Sequence, residues 1–159
     1  MPQVFLGLGS NMGEKEKNIR KALALIAKVC IIQKKSHVYL TEPIGNIKQQ
    51  WFLNCVVEIQ TEIEPHALLA LLKSIEQKLG RISTVENGPR SIDIDILFYG
   101  NRIIHSKNLT IPHPLIQERL FVLQPLMDID PSFLHPVLKK TIKDIYTDKP
   151  WHDKVVFYK

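Results

Sequence analysis

The sequence predicts an α+β fold in which a β-α-β-β-α-β run forms an antiparallel sheet with helices on both faces. Two stretches, near 14–29 and 65–79, carry apolar residues at helical spacing. Between and around them lie short runs rich in β-branched and aromatic residues, each closed by turn formers. The chain has 159 residues, 45% hydrophobic and 23% charged, which suits one globular domain with a sizeable core.

Val4 to Gly9 is a short apolar run, read as a buried strand closed by Gly9-Ser10-Asn11. From Glu14 to Val29, residues Ile19, Ala22, Leu23, Ile26 and Val29 fall on one helical stripe, with Lys15, Lys17, Arg20 and Lys21 largely elsewhere. Cys30 to Leu40 returns to strand character, and Glu42-Pro43-Ile44-Gly45-Asn46 breaks it. Phe52 to Thr61 alternates, setting Leu53, Cys55, Val57 and Ile59 opposite Phe52, Asn54, Val56 and Glu58. Pro65 suits the first position of a helix striped by Leu68, Leu72, Ile75 and Leu79, and Gly80 stands where a terminating glycine belongs. Ser91 to Tyr99 is the next strand. This order is the ferredoxin-like unit. In the last third, Thr110 to Pro114 reads as extended, Leu115 to Met127 as partly helical and Val137 to Tyr146 as helical. These segments are expected to add edge strands and helices over the second sheet face.

The most informative strand is the one from Ser91 to Tyr99. Alternation puts Asp93 and Asp95 on one face, roughly 6.5 Å apart, with Ile92, Ile94 and Ile96 on the other. Like charges on one strand face repel and resist burial, a penalty that divalent cations remove. Arg90, just upstream, carries a fork suited to phosphate. The local reading is a metal-assisted phosphate site. Spacing alone leaves two readings for Phe52 and Asn54: an aromatic plate and amide that hold a flat heterocycle, or a core ring and a backbone-satisfying amide. Arg81 is either a cation at a helix end or a group reaching toward the aspartates. The polar loop 82–87 is either a lid or a plain connection. His113, held between two prolines, and Arg119 would suit a triphosphate, although each alone also fits a capping or surface role.

Composition excludes several classes. The formal charge of +5 is a mild excess rather than a dedicated nucleic-acid surface. Cys30 and Cys55 are isolated in apolar stretches and read as reduced core residues. The N-terminus lacks a signal-peptide h-region, and no segment approaches the roughly 20 apolar residues of a membrane span. A cytoplasmic protein without membrane association is expected. His105, His135 and His152 have no zinc spacing, and neither a Walker A sequence nor Gly-x-Gly-x-x-Gly is present.

Several blocks together resemble the 6-hydroxymethyl-7,8-dihydropterin pyrophosphokinase family of folate biosynthesis, over almost the full chain. They are Gly7-Leu8-Gly9-Ser10-Asn11, Thr41-Glu42-Pro43-Ile44-Gly45, Phe52-Leu53-Asn54, the string from Gly88-Pro89-Arg90 through Asp93-Ile94-Asp95, Pro112-His113, and Arg119-Leu120-Phe121-Val122-Leu123-Gln124-Pro125-Leu126. The resemblance implies a single pyrophosphokinase domain over 1–159 that moves the terminal pyrophosphate of ATP to the pterin hydroxymethyl group, releasing AMP. It implies that Asp93 and Asp95 bind two Mg²⁺ ions and, with Arg81 and Arg90, form the catalytic set. Arg81, Arg90, His113 and Arg119 would meet phosphates, with Glu76 and Thr110 lining the nucleotide site. Phe52 and Phe121 would sandwich the pterin, and Asn54 with Thr41, Glu42, Pro43 and Ile44 would read its edge. ATP and 6-hydroxymethyl-7,8-dihydropterin are thus the expected partners, with no nucleic acid, and the chain is expected to act as a monomer. The family often places a basic residue and a Trp before Gly-Pro-Arg, where this chain has Glu86 and Asn87; a less tightly closed lid and faster product release are expected. Two competing readings are an RNA-binding ferredoxin-like module and a Mg-dependent nucleotidyl transferase.

Overall fold

The chain runs through β1 (Val4–Ser10), α1 (Lys15–Ala27), β2 (Ile31–Lys35), β3 (Tyr39–Thr41), β4 (Phe52–Gln60), α2 (Pro65–Lys78) and β5 (Asp93–Tyr99). Then come β6 (Ile104–His105), β7 (Thr110–Ile111), a 3₁₀ turn at Ile116–Glu118, α3 (Leu120–Ile129), α4 (Ile142–Thr147) and β8 (Val155–Phe157). This is a computed structural model that describes residues 1–43, 48–80 and 91–159. The expectations placed on Ile44, Arg81, Arg90 and the loop 82–87 lie outside the described residues.

The main sheet has the order β5-β1-β4-β3-β8, with β2 also pairing β4, and its pairs are antiparallel. If β2 and β3 count as one strand, the β-α-β-β-α-β core has the fourth, first, third and second strands side by side, as predicted. Alternation divides the sheet into two faces. Val4, Leu6 and Leu8, Leu53, Cys55, Val57 and Ile59, and Ile94 and Ile96 pack with α1 through Ile19, Ala22 and Ile26, and with α2 through Leu68, Leu72 and Ile75. On the other face Phe5, Val56, Leu97 and Phe98 pack with Val122, Leu123 and Leu126 of α3 and with Ile142 and Ile145 of α4. A register shift opposite Phe5 and Leu6 lets Leu97 and Phe98 both enter this second core. Gly80 has φ +82 just beyond α2, the left-handed conformation expected of a terminating glycine. Among the described residues no helix is long and apolar enough to cross a membrane.

Three expectations need correction. The run from Cys30 to Leu40 is two strands, because Lys35 pairs with Val57 while Tyr39 pairs with Asn54, leaving one extra residue on this side. Ser36 fills the break: its N–H donates to Val56 O, and its Oγ accepts from Val56 N–H, each at 2.9 Å. The first helix ends at Ala27, and Val29 is exposed beyond it. The stretch from Val137 is helical only from Ile142, since buried His135 uses Nδ1 to accept the N–H groups of Val137 and Leu138, fixing a turn. Thr141 then caps α4 by accepting from Asp144 N–H at 3.1 Å.

Candidate functional site

The sheet face toward α3 is not apolar along its whole length. Near the C-terminal end of β1 it presents Gly7 and Gly9, flanked by Phe52, Asn54 and Val56 of β4 and by Asp93, Asp95 and Leu97 of β5. The register sets Gly9 between Asn54 and Asp93, and Gly7 between Val56 and Asp95. Glycine projects nothing from the sheet, so a trough runs between the amide and the carboxylates. A methyl group built on Gly9 would stand 2.5 Å from Asn54 Oδ1, whereas one on Gly7 would only touch the Leu97 side chain at 3.5 Å. Arg119, Phe121 and Val122 wall the trough from the α3 side, and Thr41 and Glu42 close its end. The cleft is open to solvent at its mouth.

One flank is fixed for reading a planar ligand. Asn54 Nδ2 donates to Thr41 Oγ1 at 2.6 Å, and Thr41 is 2% exposed. This bond orients the amide, with its oxygen over Gly9. Phe52 and Phe121 contribute rings to the same cleft, and the Arg119 guanidinium carbon lies 5.4 Å from the Phe121 ring centroid, a cation–π contact. Glu42 N–H donates to Lys154 O, and Pro43 follows it. Buried Cys55 has its thiol pushed up to about 12 by desolvation, so it is an inert wall rather than a nucleophile.

The other flank is β5. Asp93 and Asp95 are partly exposed and both line the cleft. Their hard oxygen donors fit Mg²⁺, which is commonly bound by one or two carboxylates plus substrate phosphates. Among the described residues no group of three His, Cys, Asp or Glu could hold a metal alone. The outer edge of β5 is also occupied. His113 N–H donates to Leu97 O at 2.9 Å. Leu115 N–H donates to His113 Nδ1 at 3.2 Å, which leaves the proton of a neutral ring on Nε2. Desolvation, then the neighbouring Arg119 charge, brings this imidazole down to about 4, with Asp93 pulling the other way. His113 is therefore a neutral hydrogen-bond donor at neutral pH. Glu76, 4% exposed, points its carboxylate at Ile94 N–H, which donates to Oε2 at 2.7 Å. Thr110 pairs with His105 in the β6–β7 ribbon.

The cleft thus gathers Thr41, Glu42, Phe52, Asn54, Asp93, Asp95, Arg119 and Phe121 among the residues singled out from the sequence. Glu76, Thr110 and His113 are not among its lining residues. Sequence reasoning missed the role of Gly7 and Gly9 as a floor, although alternate glycines inside a strand signal close approach by a ligand or backbone. It also missed two tethers on the segment leading into β4. Asn11 Nδ2 donates to Gln49 Oε1 at 2.7 Å and Gln50 O at 3.0 Å, and Lys15 Nζ donates to Trp51 O at 3.0 Å. No local pattern pairs residues so far apart in sequence.

Comparison with known proteins bears on this site. The family model described as 7,8-dihydro-6-hydroxymethylpterin-pyrophosphokinase matches residues 5–131. The 2-amino-4-hydroxy-6-hydroxymethyldihydropteridine pyrophosphokinase of Aquifex aeolicus is 40% identical over 144 residues, covering 91% of this chain and 90% of that protein. The folic acid synthesis protein FOL1 of Dictyostelium discoideum is 44% identical over 147 residues, covering 92% of this chain but 22% of its own length. A crystal structure of an HPPK-DHPS protein in complex with substrates shares the fold, with TM-score 0.75 at 19% identity, over 93% of this chain and 43% of that one.

Proposed function

The chain belongs to the 7,8-dihydro-6-hydroxymethylpterin-pyrophosphokinase family, and we propose that it transfers pyrophosphate from ATP to 6-hydroxymethyl-7,8-dihydropterin in folate biosynthesis. The bond between the hydroxymethyl oxygen and the β-phosphorus of ATP forms as the bond from that phosphorus to the α-phosphate oxygen breaks. AMP leaves, and the hydroxyl proton passes to solvent. The observation that carries the reading is the glycine-floored trough with Asn54, Phe52 and Phe121 on one side and the Asp93–Asp95 pair on the other. A planar heterocycle and a polyphosphate would meet there.

In this reading Phe52 and Phe121 sandwich the pterin, while Asn54 and the segment from Thr41 to Ile44 read its edge. The Thr41 bond fixes the Asn54 amide before the ligand arrives, so less ordering accompanies binding. Asp93 and Asp95 would hold two Mg²⁺ ions together with the phosphates; the metal would offset triphosphate charge and help orient the β-phosphorus. Arg119, Arg81 and Arg90 add positive charge toward the phosphates, and His113 donates from Nε2. Glu76 and Thr110 belong to the nucleotide wall beside β5. Such a transfer depends on alignment and charge neutralisation more than on covalent catalysis.

The chain works as a single domain and as a monomer in this account. Neither an RNA-binding module nor a nucleotidyl transferase gains support from the family match. The test is to incubate the protein with Mg²⁺, ATP and 6-hydroxymethyl-7,8-dihydropterin and follow AMP. Pterin-dependent AMP in one-to-one ratio with pterin diphosphate is expected; ADP, free pyrophosphate or no pterin-dependent product would overturn the reading.

A further inference from the structure

Among the described residues β5 pairs with β1 alone. Its outer edge meets His113 N–H at Leu97 O; elsewhere such an edge ordinarily leaves backbone groups to water. At Ile94 the amide instead donates to the Glu76 carboxylate at 2.7 Å, across from α2. Antiparallel ladders alternate, so an N–H directed outward at Ile94 means that the flanking residues face β1 with their own backbone groups. Those flanking residues are Asp93, opposite Gly9, and Asp95, opposite Gly7. The stretch bearing both carboxylates is thereby held from two sides: by β1 at each aspartate, and by Glu76 at the residue between them.

Glu76 is 4% exposed, in a helix whose other buried side chains are Pro65, Leu68, Leu72 and Ile75. Placing a carboxylate there is costly unless it makes a specific bond. A leucine would fill the stripe more cheaply but could not hold the amide. We propose that Glu76 is a positioning residue for the metal site, holding the outer edge of β5 and fixing the spacing of Asp93 and Asp95 through the Ile94 amide. This rests on the metal-assisted reading above and adds to it a residue that acts through the strand. Its effect should fall on metal affinity, as with other groups that orient metal ligands from behind.

The test uses Mn²⁺ in place of Mg²⁺, titrated by electron paramagnetic resonance with saturating α,β-methylene-ATP. Glu76→Ala should weaken Mn²⁺ binding about tenfold. Glu76→Gln, whose amide oxygen can accept the same N–H, should stay within about twofold of the unaltered protein. Hydrogen exchange supplies a second readout: the Ile94 amide should exchange slowly in the unaltered protein and in Glu76→Gln, and at least about tenfold faster in Glu76→Ala. Fast exchange at Ile94 in the unaltered protein would overturn the proposal even if a variant failed to fold. So would a folded Glu76→Ala whose Mn²⁺ affinity is intact, since the Ile94 bond would then play no part in the metal site. If Asp95→Asn also left Mn²⁺ affinity unchanged, the metal-site reading itself would fail, a separate outcome.

Discussion

Gly9→Ala is the sharpest probe of the trough, because one methyl group meets one polar atom. The new Cβ would stand 2.5 Å from Asn54 Oδ1 and 3.5 Å from Phe52 Cδ1. The amide must therefore retreat by about 1 Å to reach ordinary contact. Its anchor is the 2.6 Å bond from Asn54 Nδ2 to Thr41 Oγ1, which cannot stretch that far and remain a good hydrogen bond. Losing that bond costs about 1 kcal/mol, and overpacking adds about 1 kcal/mol or more. The melting temperature should fall by about 4–8 °C for a chain of this size. Pterin recognition suffers as well: an amide displaced by one hydrogen bond's worth of energy weakens pterin binding about tenfold. Nucleotide binding should change little. Differential scanning calorimetry and isothermal titration with the pterin provide the readouts. Gly7→Ala serves as the control for stability, since its methyl meets only ordinary contact at 3.5 Å and restricts the unfolded chain. If Gly9→Ala binds pterin as tightly as the unaltered protein and melts at the same temperature, the account of the trough is wrong.

Asp95→Asn should remove most turnover while ATP binding without metal changes little; near-normal kcat in a steady-state assay would remove Asp95 from the metal site. His113 predicts a pH effect on stability. Its folded value lies near 4 against 6.5 when unfolded, so between these values the unfolded chain takes up a proton that the folded ring refuses. Stability is thus unaffected above about pH 6.5 and is lost as pH falls toward 4, by up to about 3 kcal/mol. Buried His135, also lowered by desolvation, acts in the same direction. Urea unfolding from pH 7 to 4 should show a shallower loss in His113→Gln than in the unaltered protein, and equal slopes would contradict this.

Much of the fold was legible because it rests on periodicity. The alternation of Phe52 to Thr61 and of the Asp93–Asp95 strand divided the two faces correctly, and Gly80 marked a real left-handed residue. What escaped detection was set at a distance. The break at Ser36 exists because Val56 on another strand bonds the Ser36 backbone and hydroxyl. β8 forms because Val155 to Phe157 finds β3 more than a hundred residues upstream. The turn before α4 depends on His135 capping two amides, while Thr141 and Asp144 offered a local capping signal that was overlooked. At the site the aspartate pair stood out as an electrostatic anomaly, whereas the glycine floor and the Glu76–Ile94 bond acquire meaning only once strands are in register.

The most direct measurement follows the phosphorus atoms. ATP labelled separately at the α, β and γ positions is offered with 6-hydroxymethyl-7,8-dihydropterin and Mg²⁺. Attack at the β-phosphorus predicts that β and γ labels both move to the pterin while the α label remains in AMP. Transfer of the γ label alone, or of the α label, would contradict the central claim.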